Sequence, residues 1–134
     1  MLLKNFIRVC LTTMVICSCD PVSNMEASIE NLTKQDLIIE FISFDETLNK
    51  TLNIASNETQ IFQEGFDIGN DFLEPSLTEY DSVVVKNNTE RILKVFKPND
   101  LGKNIYFIDK YWLSSEPSKR LFKYKYEIYN EDLE

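Results

Sequence analysis

Seven carboxylates and no lysine or arginine lie between residues 51 and 85. Glu64, Asp67, Asp71, Glu74, Glu79 and Asp81 form the denser part of this run, and such groups can do two kinds of chemistry. Two carboxyls about 5 to 10 Å apart suffice as the acid and the base or nucleophile of a glycoside hydrolase. Hard oxygen donors around a loop suit calcium, and Asp67, Asn70, Asp71 and Glu74 surround Gly69 in that way. Their spacing does not follow the EF-hand order, in which acids alternate before a fixed glycine. A solvated acidic loop is therefore the favoured reading, and no metal or other cofactor is expected.

The rest of a catalytic toolkit is missing from the sequence. There is no histidine, which removes imidazole bases, Ser-His-Asp and Cys-His arrangements, and the usual zinc ligands. Three glycines leave no phosphate-cradling loop and no dinucleotide fingerprint. We expect no enzyme and assign no catalytic residue.

Three other groups of residues invite a binding role. Tyr111 and Trp112 could form an aromatic contact for a sugar or a protein, although a buried sandwich tryptophan is the favoured reading. Lys119, Arg120, Lys123 and Lys125 accompany Phe122, Tyr124 and Tyr126 in a pattern reminiscent of nucleic-acid or glycan platforms. Strict alternation turns those aromatics away from the lysines and into a core. Asp81-Ser82-Val83 resembles the Asp-Ser/Thr-aliphatic sequence at which some exported bacterial proteins carry O-linked sugar. That resemblance makes Ser82 a candidate glycosylation site.

The N-terminus carries a more specific signal. Lys4 and Arg8 precede the apolar run from Val9 to Ile16, which is too short to span about 30 Å of hydrocarbon as a helix. The run ends in Ile16-Cys17-Ser18-Cys19, which resembles the lipobox of bacterial lipoprotein signal peptides. The resemblance implies that residues 1–18 are removed and that Cys19 carries diacylglycerol and a further acyl group such as palmitate. Cys10 and Cys17 would leave with the signal, so Cys19 would be the one remaining thiol, with no disulfide or cysteine metal site. One acyl chain anchors reversibly and two or three hold firmly. Residues 19–27 then read as an acylated tether. The expected location is the cell envelope, at the outer membrane. Asp20 also resembles an inner-membrane retention signal of some bacteria.

The chain has a formal net charge of −8, and loss of Lys4 and Arg8 would make it more acidic still. Such a surface repels phosphates, so nucleic acid is not an expected partner. A composition with 43% hydrophobic and 12% aromatic residues is too apolar for a disordered chain. One domain, residues 28–134, is expected.

The elements that must position these groups read as strands, because short apolar runs alternate with turn chemistry and no stretch keeps a helical period. In residues 121–129, Phe122, Tyr124, Tyr126 and Ile128 share one face. Leu48, Leu52 and Ile54 alternate likewise, with Lys50 as an exception. Residues 37–42 and Val83-Val84-Val85 are apolar on both faces, as central strands are. Turns are expected at 33–36, 56–59, 87–89 and 98–102. Asn87-Asn88 suits the positive backbone angles of a two-residue hairpin joining strands 81–86 and 90–97. Residues 65–79 read as a long connection between sheets holding one helical turn. The predicted fold is an antiparallel β-sandwich of seven or eight strands, immunoglobulin-like in layout, with a small β-barrel as the alternative.

The last quarter of the chain, with its Asn-Ile-Tyr and Tyr-Trp elements at 104–112, the Lys/Tyr strand and terminal Asn130-Glu131-Asp132-Leu133, resembles the C-terminal ends of small β-rich bacterial lipoproteins. That family supplies no catalytic residues to carry over. The expectation is a monomeric, membrane-anchored binding or accessory module of the envelope, partnered by an envelope protein or glycan. Two alternatives are an acidic inhibitor or immunity-type lipoprotein that captures a cationic enzyme, and a carboxylate-dependent glycoside hydrolase.

Overall fold

Eight strands assemble in the computed structural model, which describes residues 19–134. In chain order they are β1 (Val22–Asn31), β2 (Leu37–Ile42), β3 (Lys50–Ile54), β4 (Thr59–Ile68), β5 (Ser82–Asn87), β6 (Ile92–Phe96), β7 (Leu113–Ser118) and β8 (Leu121–Ile128). A single helical turn, α1 (Ile108–Tyr111), precedes β7. The readings of residues 1–18 as a signal, and of Cys10 and Cys17 as lost with it, lie outside the described residues.

Two four-stranded sheets, ordered β4-β1-β8-β7 and β3-β2-β5-β6, pack face to face as a β-sandwich and do not close into a barrel. All pairings are antiparallel except that of β1 with β8, which run parallel with Ala27 opposite Tyr124. The period-two pattern explains the core. Met25, Ala27 and Ile29 of β1 and Tyr124, Tyr126 and Ile128 of β8 face Leu37, Ile39 and Phe41 of β2 and Val83 and Val85 of β5. As expected, β2 and β5 are central strands of their sheet.

The expected tether over residues 19–27 is corrected. Val22 already opens β1, Ser23, Met25 and Ala27 are buried, and the domain begins at residue 22 and not 28. The Gly69 amide donates to the carbonyl of Pro21 at 2.6 Å, so ordered pairing reaches to within two residues of Cys19. The segment was misread because small and polar inward residues hide its alternation.

The long connection is also shorter than expected. β4 runs to Ile68 and carries Gly65 inward over Met25, where a Cβ would lie 3.1 Å from the methionine methyl carbon. Residues 69–81 cross between the sheets without a helical turn.

The hairpin joining β5 and β6 forms, but not as an Asn-Asn turn. Glu90 takes the positive φ, at 63°, while the Asn87 side-chain oxygen accepts from the amides of Thr89 and Arg91. Leu48 lies in a 3-10 turn before β3, so it does not share the strand face of Leu52 and Ile54. Lys50, the exception in the pattern, is on that face. Its amine donates to the Phe62 carbonyl and sits 5.2 Å from the Phe62 ring centre.

Candidate functional site

The connection after β4 and the segment around α1 lie over the inner end of the first sheet, and a groove opens between them. One part is a concavity of about 350 Å3 bounded by Phe72, Asp109, Trp112, Glu116, Phe122 and Tyr124. It continues past Ile108 and Asp109 to Glu74, Tyr106 and Phe107. Phe72 meets Phe122 edge to face at 5.0 Å, which builds the aromatic wall.

Buried polar contacts fix the frame of this groove. The Trp112 indole donates to the Ile105 carbonyl at 2.8 Å, the Tyr106 hydroxyl to the Tyr80 carbonyl at 3.1 Å, and the Tyr124 hydroxyl to the Leu73 carbonyl at 3.0 Å. Asn104, also buried, donates to the carbonyls of Lys97 and Asp100 and accepts from the Tyr106 amide. These bonds tie the two covering segments to themselves, to each other and to the sheet below.

The field in the groove is negative. Burial raises the Tyr124 phenol above its ordinary pKa, and the charges of Glu74 and Asp109 raise it further. Tyr106 is pushed up to about 12 by burial and by Asp81. Aromatic walls with Glu74, Asp109 and Glu116 at the rim favour a cation that carries apolar surface, such as a lysine- or arginine-bearing segment. Among the described residues Lys110 is the one basic residue lining these two concavities.

The residues singled out from sequence fall in different places. Trp112 is buried and serves the frame, while Tyr111 is half-buried beside Phe107. Phe122, Tyr124 and Tyr126 turn inward as expected, and Lys123 and Lys125 turn outward to ion pairs with Glu26 at 3.3 Å and Glu30 at 2.6 Å. Ser82 opens β5 opposite Ile42 and is half-buried. Cys19 is exposed.

The four calcium candidates divide. Asp67 and Asp71 share a hydrogen bond that, with the charge of Asp67, raises the Asp71 carboxyl above its usual range. Asn70 accepts from the Arg120 guanidinium at 2.6 Å, and Glu74 points to the groove. Among the described residues no three acidic, cysteine or histidine side chains converge as a metal site. Of the six acids read as possible catalytic pairs, Glu74 alone lines the groove, where Asp109 and Glu116 are its companions. Those two were missed, because nothing local in the sequence shows that residues 72–74, 106–116 and 122–124 meet.

Compared with protein-family models, with curated proteins and with solved structures, the chain finds no match. No helix among the described residues is long and apolar enough to cross a membrane, which leaves strands untested in that role.

Proposed function

We propose that this chain is a bacterial envelope lipoprotein, held to the membrane by an acylated Cys19 and acting as a non-catalytic binding or accessory module. The observation that carries the reading is the position of Cys19, an exposed thiol three residues ahead of the first strand and preceded by a lipobox-like sequence. A sulfur so placed is open to acylation and lies outside the fold that it would anchor. In this reading the acidic aromatic groove is the binding surface and a cationic, partly apolar segment of an envelope partner is its ligand.

Intact mass of the protein extracted from its own envelope tests the anchor. The expected product begins at Cys19 and is heavier by a diacylglyceryl group and an acyl chain, and Cys19→Ser abolishes both cleavage and lipid. A product that starts elsewhere, or with a bare thiol, refutes the anchor.

The inhibitor or immunity reading uses the same groove and predicts a tighter, salt-sensitive complex with a cationic enzyme. Glu74→Gln with Asp109→Asn should weaken such a complex and flatten its salt dependence. Asp109 and Glu116 in one concavity keep the hydrolase reading testable, and we expect no glycan cleavage from the purified protein.

A further inference from the structure

Val22, Phe66 and Ile68, three of the exposed apolar side chains of the first sheet, lie together at one end of it, while Ile61 and Leu113 lie farther along. Val22 of β1 pairs with Ile68 of β4, and Asn24 pairs with Phe66 on one side and with Leu121 of β8 on the other. Alternation places Val22, Phe66, Ile68 and Leu121 on the outer face. Phe66 and Leu121 line one shallow depression there. Phe66 and Ile68 are 66% and 63% exposed. Large apolar groups this open, set side by side, mark a contact surface.

The chain itself says what lies against that surface. Cys19 is two residues from Pro21, whose carbonyl is bonded to the amide following Ile68. At about 3.5 Å per residue its sulfur stays within about 10 Å of the Val22–Ile68 pair. In the sequence the apolar run Val9–Ile16 ends three residues before Cys19. Acyl chains carried by Cys19 would therefore emerge beside the patch.

We infer that this end of the first sheet is a membrane-contacting face, with Val22, Phe66 and Ile68 seated in the interfacial layer of the bilayer around the Cys19 attachment. The attraction is apolar and not coulombic. Glu26 and Glu64 line the same depression as Phe66 and Leu121, so zwitterionic lipid suits it better than anionic lipid. The inference deepens the proposed anchoring by fixing how the domain is oriented on its membrane.

The test attaches the protein chemically, so that it does not depend on acylation in the cell. In the form starting at Cys19 that residue is the single thiol and can be coupled to a maleimide lipid in phosphatidylcholine vesicles with brominated acyl chains. A tryptophan introduced as Phe66→Trp should be quenched by the brominated chains, and one introduced as Ile92→Trp, at the opposite end, should not. Circular dichroism confirms the sheet in both. The double variant Phe66→Ser, Ile68→Ser should lower partitioning of the uncoupled protein about tenfold or more. Equal quenching at both positions, no quenching at Phe66→Trp, or concentration-dependent dimers of uncoupled protein that bury the Phe66→Trp indole would overturn the assignment. The mass measurement above decides acylation separately, so the two readings fail independently.

Discussion

Phe41 of β2 and Phe62 of β4 stack across the space between the sheets, with ring centres 4.6 Å apart. The contact joins a central strand of one sheet to an edge strand of the other. Phe62 is the extra residue where the pairing of β1 and β4 shifts register, so a bulge turns this ring toward the core. Tyr80 and Trp112 complete the cluster at 6.2 Å each from Phe62. Phe62→Ala should cost about 3 to 5 kcal/mol of stability. Urea unfolding followed by circular dichroism will read it, and a cost below about 1 kcal/mol would mean that the ring does not join the sheets.

Trp112 is the sole tryptophan and is buried, with its indole N–H bonded to the Ile105 carbonyl. Its native emission should be blue-shifted and shielded from acrylamide. Trp112→Phe removes that donor and leaves the carbonyl unpaired, at a cost of about 1 to 3 kcal/mol. Ready quenching in the folded protein would show the ring to be at the surface.

The Tyr126 hydroxyl is buried and meets no hydrogen-bond partner among the described residues. Tyr126→Phe keeps the packing against Trp112 and Phe96 and removes an unsatisfied polar group. The variant should match or exceed the parent in stability, by about 1 kcal/mol at most. A drop in Tm of several degrees would reveal an undetected partner.

Alkaline stability follows from the same buried phenols. Burial raises the folded-state pKa of Tyr126, and that of Tyr106 to about 12, whereas an unfolded phenol titrates near about 10. A group raised on folding contributes its full stability below the unfolded pKa and loses it as pH rises through the folded one. Unfolding should therefore set in above about pH 10 and progress through about pH 12. Ultraviolet titration should show fewer than the six tyrosines ionising before the sheet signal is lost. Ionisation of all six with the fold intact would contradict the burial.

At the other end of the pH scale, the pair Asp67 and Asp71 behaves in the same sense. The Asp71 carboxyl is raised, so its contribution is present below the unfolded value of about 4 and lost as pH rises through the folded value. At neutral pH the two carboxylates repel. Asp71→Asn should raise Tm at neutral pH, with the advantage shrinking in acid. A Tm lowered at neutral pH would mean that the pair is held by something other than a shared proton.

How much could be read before the fold was known depended on how strongly each strand alternates. Large aromatics facing in and charges facing out make β8 visible, and Val83-Val84-Val85 marks a central strand. β1 was hidden because its inward positions include Ser23, Ala27 and Asn31, which bury as well as large apolar residues when a neighbour fills the space. The upper half of β4 was hidden by Gly65, whose missing side chain makes room for Met25. Lys50 broke a pattern that it in fact obeys, since its stem and amine lie along Phe62. The groove could not be read at all, because its walls come from three separated segments and meet only through the cross-sheet connection.

The parallel pairing of β1 with β8 has a consequence for biogenesis. The second strand of the first sheet finds its neighbour only when residue 121 and those after it have arrived, nearly a hundred positions later. Until then the ribbon of β1 and β4 has an open, sticky flank, and no early fragment can seal the sandwich. A chain threaded through a translocase N-terminus first would thus stay pliable for almost its whole passage and lock at the end.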